Sequence, residues 1–210
     1  MAEVAVDLIT LSREFGSGGS ELAKELGSHL GWRVLDRDLV QLVAARLKLD
    51  PRTVETMDEH PPGLFSRISS ALLITSPESP IALERSDLLS PDAVADASRA
   101  AIMEAVQSPP LIVVGHGAQS LFRDRPGTLH VRLVAPVESR TKRICSREPC
   151  ETNAATARLR HMDADRGAYV RRYFHTDWRD PMLYDLAINT GRTSIKAAAA
   201  AILAVVGRTG

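Results

Sequence analysis

Apolar and polar positions along the chain switch repeatedly between a strand pattern and a helix pattern. Val4 to Leu11 is mostly apolar and rich in Val, Ile and Leu, which predicts a buried strand. Leu22, Ala23, Leu26 and Leu30 then recur at helical spacing, so a helix starts near Ser20 and ends at Gly31. Trp32 to Asp36 reads as a second, short strand, and Leu39, Leu42, Val43, Arg46 and Leu47 as a second helix. Val94, Ala97, Ala101, Ala105 and Val106 form an amphipathic helix that stops at Ser108-Pro109-Pro110. Leu111-Ile112-Val113-Val114 is wholly apolar and predicts a central parallel strand. Leu129 to Ala135 is the next strand, and Pro136 opens a helix through about Arg147. Tyr184 to Thr190 gives the last strand. After Gly191, an Ala-rich helix carries Ile195, Ala199, Ile202 and Val206 on one face. Strands alternating with helices predict an α/β fold.

Two stretches break this rhythm. Between residues 50 and 91, Pro61, Pro62, Pro77, Pro80 and Pro91 and many serines interrupt short apolar patches, which reads as an inserted lobe of the kind that closes over substrates. Between Arg140 and Arg172, eight Arg and one Lys face four acids, a local balance of +5 (nine minus four). Arg140, Arg143 and Arg147 share one helix face, and Arg158, Arg160, Arg166, Arg171 and Arg172 follow. A charge run is usually a solvated face, and that covers most of these residues. A guanidinium excess with few carboxylates is also what a closing phosphate clamp needs.

Composition narrows the function classes. Formal net charge is zero and the sequence pI is about 7.0, which argues against a general nucleic-acid binder. No apolar run approaches the roughly 18 residues of a membrane span. Cys145 and Cys150 lie five apart and read as reduced thiols, and the chain as a cytoplasmic protein, a monomer or a homodimer.

The candidate chemistry begins at Ser12-Arg13-Glu14-Phe15-Gly16-Ser17-Gly18-Gly19-Ser20. A strand, a glycine-rich turn and a helix N-terminus present backbone N–H groups and a positive dipole end to one point, a phosphate cradle. Against the Walker A pattern G-x-x-x-x-G-K-[ST], Gly18 is the second glycine, Ser20 the hydroxyl residue, and Gly19 stands where the lysine belongs. The first glycine position is Arg13, the nearest residue able to supply the missing charge. Asp36 and Asp38 flank the second strand's end; Asp36 reads as a substrate or Mg²⁺ contact, Asp38 as a helix cap. His116, after the central strand, reads equally as a ligand contact or a packed histidine.

The wording of Ile9 to Gly19, of Val113-Val114-Gly115 with Arg123-Asp124-Arg125-Pro126, and of Asp177-Trp178-Arg179-Asp180-Pro181 running into Tyr184 to Thr190 resembles the cytidylate kinase-like family over nearly the whole chain. The resemblance implies one domain over residues 1–210 with a nucleoside-monophosphate-kinase-type P-loop fold. That fold is a three-layer α/β/α arrangement with a five-stranded parallel sheet, an inserted substrate lobe (50–91) and an Arg-rich lid (148–176). It also implies transfer of the γ-phosphoryl group of ATP, with Mg²⁺, to a nucleoside monophosphate such as CMP or dCMP. Gly16, Ser17, Gly18, Gly19 and Ser20 would then cradle the donor phosphates, with Asn189 and Arg192 bordering the adenine and Ser20 and Asp36 holding the metal. Arg13, Arg143, Arg147, Arg158 and Arg166 are the candidates for neutralising the transferring group. Asp36, Arg37, Asp38, His116, Gln119 and Asp163 fall to the acceptor side.

The chain departs from the family at one place that bears on the acceptor. The family's Gly-Arg-x-Ala-Asp sequence is Gly115-His116-Gly117-Ala118-Gln119 here. A bidentate phosphate fork and a carboxylate acceptor are both replaced. Two other readings therefore stay open: a kinase of another small metabolite, and a nucleotide-binding regulator with little turnover.

Overall fold

The computed structural model describes residues 5–36, 38–47 and 91–207. Arg37 and the expected 50–91 lobe, apart from Pro91, lie outside the described residues. The described residues gather into two compact units, one from the chain up to Leu35 and from Ser108 onward, the other between Asp36 and Gln107.

The larger unit is built on a five-stranded sheet: β1 (Leu8–Arg13), β2 (Arg33–Leu35), β3 (Leu111–Val114), β4 (Thr128–Val134) and β5 (Leu186–Asn189). The order is β2-β3-β1-β4-β5 and every pairing is parallel. In register, Ile9 sits beside Ile112 and Leu129, and Leu11 beside Val114 and Val131. Partners in a parallel ladder share a face, so these residues, with Leu133, make one continuous apolar surface. Two helices cover it. Leu22, Ala23 and Leu26 of α1 (Gly19–Leu30) and Ala198, Ala199 and Ile202 of the last helix, α7 (Ile195–Val206), complete a single buried cluster. Each fully buried Leu or Ile there contributes about 1.5–3 kcal/mol.

The opposite face of β1 and β4 is polar, and hydrogen bonds satisfy it. Thr10 Oγ1 lies 2.7 Å from His130 Nδ1, and the His130 N–H donates to the Asp185 carboxylate at 2.7 Å. The Arg132 guanidinium lies 4.5 Å from the Trp178 ring centroid and 5.4 Å from that of Tyr184. It donates to the Trp178 carbonyl, to which the Tyr184 hydroxyl also donates at 2.6 Å. Trp178 and Tyr184, both in the block that marks the end of the sequence, thereby fix the chain against the sheet ahead of β5.

The remaining helices of this unit are α4 (Ala118–Leu121), α5 (Val137–Arg147) and α6 (Thr152–Phe174). Most of the Arg-rich segment 148–176, for which the sequence predicts no particular element, is the 23-residue helix α6. Its buried positions are few (Ala155, Leu159, Met162, Asp163 and Val170), so the hydrophobic period that marks a helix is faint. Strand β1 is displaced from the expectation, running on to Arg13 and so into the glycine loop. In the smaller unit, α2 (Asp38–Arg46) and α3 (Pro91–Ala105) pack on one another, and Arg46 pairs with Glu104 at 2.9 Å.

Burial holds the His130 imidazole below its ordinary range, while Asp185 acts in the opposite sense. The unfolded chain therefore takes up this proton first as pH falls past about 6.5, and stability is lost from there down toward the folded-state value. The melting temperature is expected to fall between about pH 7 and about pH 5, and a His130→Gln variant is expected to flatten that fall. Parallel pH profiles for the two proteins would remove His130 as the cause.

Candidate active site

The turn between β1 and α1 is defined by where its carbonyls go. Six consecutive carbonyls, from Arg13 to Gly18, each accept a hydrogen bond. The Arg13 carbonyl accepts from Arg166 Nη1 at 2.8 Å, and the Glu14 carbonyl from the Ser17 hydroxyl at 2.8 Å. The Phe15 carbonyl accepts from Arg140 Nη1 at 3.1 Å and the Gly16 carbonyl from Arg143 Nη1 at 2.9 Å. The Ser17 carbonyl accepts from Thr190 Oγ1 at 2.7 Å, and the Gly18 carbonyl from the Leu22 N–H of α1 at 3.0 Å. Four of the six are held by side chains from outside the turn. The N–H groups of Glu14, Phe15 and Ser17 donate to the Leu133 carbonyl, the Asp163 carboxylate and the Glu14 carbonyl, so every peptide group named here is accounted for within the fold.

Helix α1 opens at the end of this turn without a side-chain cap. Its N-cap is Gly18, left-handed with φ 91, which has no side chain to cap the first turn. The first N–H groups of a helix have no intrahelical acceptor, and the helix dipole adds partial positive charge there. An uncapped N-terminus joined to a turn of this kind is built to receive an anion.

The Arg13 side chain crosses this opening. A Cβ built on Gly19 meets Arg13 Cγ at 2.7 Å and Cβ at 3.1 Å, and one built on Gly115 collides with the Arg13 guanidinium. Gly19 and Gly115 are thus bare because Arg13 runs over both, from the end of β1 across the first residue of α1 to the carboxyl end of β3. At that end Gly115, His116 and Gly117 are all left-handed (φ 79, 56 and 71). His116 is half-buried, while Gln119 on α4 is 2% exposed.

Helix α6 reaches the turn from the other side. Asp163, 7% exposed, accepts the Phe15 N–H at 2.8 Å through one oxygen and Arg140 Nη1 at 2.6 Å through the other. Arg140 Nε donates to the Ala135 carbonyl at 2.9 Å, and Glu14 accepts the Ala135 N–H at 3.0 Å. The Phe15 ring lies 5.2 Å from the Arg158 guanidinium and 5.5 Å from that of Arg166.

The structure therefore brings Arg13, Gly16, Ser17, Gly18, Gly19, Arg143, Asp163 and Arg166 together. Ser20 lies beside them, exposed in the first turn of α1. Ser17 is buried, and its hydroxyl closes the turn. Arg143 holds the Thr190 carbonyl at 3.2 Å as well as that of Gly16. Arg147 pairs with exposed Glu21 at 2.8 Å, and Arg158 with Glu148 at 3.0 Å. Asn189 closes the turn after β5 by accepting the Gly191 N–H at 3.0 Å, and Arg192 is exposed. Asp36 and Asp38 belong to the other unit. Asp36 is half-buried, and Asp38 opens α2, where its charge suits the helix dipole.

Sequence reasoning did not single out three residues that hold the turn: Glu14, Arg140 and Thr190. Arg140 shared the α5 face already noted, and Thr190 closes the last strand block, but their carbonyl partners are 125 and 173 residues away. Among the described residues no group of three or more His, Cys, Asp or Glu side chains converges as a metal site. Removing the Asp163 charge takes from Arg140 its nearest carboxylate, while Glu14 stays 3.6 Å from Arg140 Nε. Asp163→Asn is therefore expected to cost about 1–3 kcal/mol in urea unfolding, whereas Asp165→Asn, from an exposed pair with His161, is expected to change little.

The fold recurs in solved structures. An uncharacterized protein from Eubacterium ventriosum ATCC 27560 is 20% identical with a TM-score of 0.69, the match covering 95% of this chain and 98% of that one. Shikimate kinase from Bacteroides thetaiotaomicron is 13% identical with a TM-score of 0.55 over 95% and 98% of the two chains. A gluconokinase from Sinorhizobium meliloti 1021 is 16% identical with a TM-score of 0.54 over 99% and 93%. No curated protein matches the sequence. The model of the cytidylate kinase-like family matches residues 8–192. The chain belongs to that family and is a kinase-like phosphotransferase on a P-loop fold.

Proposed function

We propose that this protein transfers the γ-phosphoryl group of ATP to a nucleoside monophosphate of the CMP or dCMP kind. One observation carries the donor half of this reading: the Arg13, Phe15, Gly16 and Ser17 carbonyls are each held by a side chain from outside the turn, beside an α1 N-terminus whose N-cap is a glycine. Gly16, Gly18, Gly19 and Ser20 take the donor phosphates on backbone N–H groups, Ser17 shapes the cradle by bonding the Glu14 carbonyl through both its N–H and its hydroxyl, and Asn189 and Arg192 border the adenine. Magnesium suits this donor set as an ion carried largely by the nucleotide, because Mg²⁺ keeps several waters and takes one or two protein ligands beside phosphates. Ser20 and Asp36 are the residues proposed to reach it.

Phosphoryl transfer asks for positioning and charge neutralisation more than for covalent chemistry. Arg13 supplies the charge that Gly19 lacks, delivered from the strand end. Arg143, Arg147, Arg158 and Arg166 act with it as residues 148–176 close as a lid. Each guanidinium has five N–H donors, so holding a loop carbonyl or a carboxylate leaves donors for a phosphate. The 50–91 segment is proposed as the acceptor lobe of a single catalytic domain and Asp36, Arg37, Asp38, His116 and Gln119 as acceptor contacts, with Asp163, whose two oxygens hold Phe15 and Arg140, serving that side by positioning the turn.

A second reading rests on a specific observation. His116 and the buried Gln119 replace an Arg and an Asp, which suits an acceptor without a phosphate at that point, such as a hydroxylated small metabolite. The shikimate and gluconate kinases that share the fold are named for acceptors of that class. Release of ADP from ATP-Mg²⁺ over a panel of nucleoside monophosphates and small polyols separates the two. Fastest turnover with CMP or dCMP is the expected result, fastest turnover with a polyol selects the second reading, and ATP binding with no acceptor-dependent ADP would sink both.

The Arg13 assignment has its own test. Arg13→Ala is expected to lower turnover by about 10²–10³-fold with the fold intact by circular dichroism. The exchange Arg13→Gly with Gly19→Lys, which moves the cation to the other end of the turn, is expected to recover much of that loss. Unchanged turnover in Arg13→Ala removes Arg13 from the donor site.

A further inference from the structure

Cys145 lies in the last turn of α5, and Cys150 lies two residues before α6 begins at Thr152. Their sulfurs are 2.9 Å apart, and the Cys145 thiol also donates to the Cys150 carbonyl at 3.2 Å. Both are free thiols. The short connection holds them face to face, so the sulfurs have about 0.85 Å left to close to reach the roughly 2.05 Å of a disulfide. The two positions are also unequal. Cys150 is exposed, whereas Cys145 is half-buried beside a cluster formed by Ile144, Ala155, Leu159 and Phe15.

We propose that Cys145 and Cys150 form a paired-thiol redox site, oxidised by hydrogen peroxide, that ties the end of α5 to the entry of α6. The two helices are the supports of the phosphate turn: Arg140 and Arg143 reach it from α5, Asp163 and Arg166 from α6. A bond across their joint fixes the two supports relative to one another. The chemistry balances with the peroxide as the oxidant. The sulfur of exposed Cys150 attacks the O–O bond, which breaks to give a sulfenic acid and water. The sulfur of Cys145 then displaces the hydroxyl of that sulfenic acid, forming the S–S bond and releasing a second water. Two thiols and one peroxide become one disulfide and two waters. The hydrogen bond with Cys145, and the negative charge of Glu148 at the end of α5, hold the Cys150 thiol above its ordinary range, while Arg158 on α6 opposes them. Oxidation is therefore faster on the alkaline side of neutrality.

No part of this site depends on the phosphotransferase reading, so it is tested on the full chain without substrate. Hydrogen peroxide is expected to remove about 2 Da and both titratable thiols, with a digest under non-reducing conditions yielding one species cross-linked between Cys145 and Cys150. Dithiothreitol is expected to restore both thiols. The closed form is expected to melt about 3–8 °C higher than the reduced form. Cys150→Ser is expected to show no 2 Da loss, and reduced wild-type chain to bind one phenylarsine oxide, a probe that bridges two neighbouring thiols. Two thiols still titratable after peroxide, oxidation that runs to sulfinic acid, or dimers linked between chains would each overturn the paired site. A disulfide that forms without raising the melting temperature would overturn its role as a tie between the helices.

Discussion

A tight turn that binds an anion must point its N–H groups one way, and the carbonyls that turn outward need acceptance elsewhere. In this protein the requirement is met residue by residue from Arg13 to Gly18, by four side chains from three different parts of the chain and two contacts internal to the turn and α1. Arg166 comes from α6, Arg140 and Arg143 from α5, and Thr190 from the end of β5. The site is consequently a property of the assembled unit. A glycine-rich peptide of the same sequence has no means of holding its carbonyls outward.

The same constraint explains why the basic residues near the turn are arginines. A buried lysine ammonium is a point charge, whereas a guanidinium forks. Arg140 uses that fork to meet the Ala135 carbonyl, the Phe15 carbonyl and the Asp163 carboxylate at once, while Asp163 takes the Phe15 N–H with its second oxygen. Arg143 likewise spans the Gly16 and Thr190 carbonyls. A buried ion pair adds little to net stability after desolvation, so its value here lies in geometry. It fixes Phe15, and with it the entry to the turn, between α5 and α6.

The sheet and most of its helices were legible because their burial is simple. Apolar runs such as Leu111–Val114 and the Leu22, Ala23, Leu26 face declare themselves, and Gly31 marks its helix end with a left-handed φ of 68. Helix α6 was not legible, because it buries an aspartate along with a few apolar residues and presents arginines to the turn and to solvent. Its Asp163 and Arg166 carry the Asp-x-x-Arg spacing, yet spacing alone does not reveal that Asp163 faces Arg140 and a backbone N–H. Thr190 was visible as the end of a strand, while its hydrogen bond to Ser17 depends on β5 lying beside β4. Local periodicity reports what a segment buries; it does not report which distant carbonyl its polar side chain will meet.

The glycine at the lysine position shows the same limit from the other direction. In sequence Gly19 is a missing charge; in the fold it is the clearance for a charge that arrives from elsewhere. Arg13 leaves the end of β1, passes over Gly19 close enough that a Cβ there meets its Cγ at 2.7 Å, and lays its guanidinium on Gly115. A residue with a Cβ at position 19 therefore displaces Arg13, and one at 115 does so while also straining a backbone with φ 79. A change at any one of these three positions alters the space left for the others. Arg166 extends the set, because its bond to the Arg13 carbonyl at 2.8 Å fixes the backbone from which that side chain starts. A lysine on α1 would take its position from α1 alone. An arginine on β1 takes it from the sheet and from α6, so any movement of α6 is transmitted to the cation at the mouth of the turn.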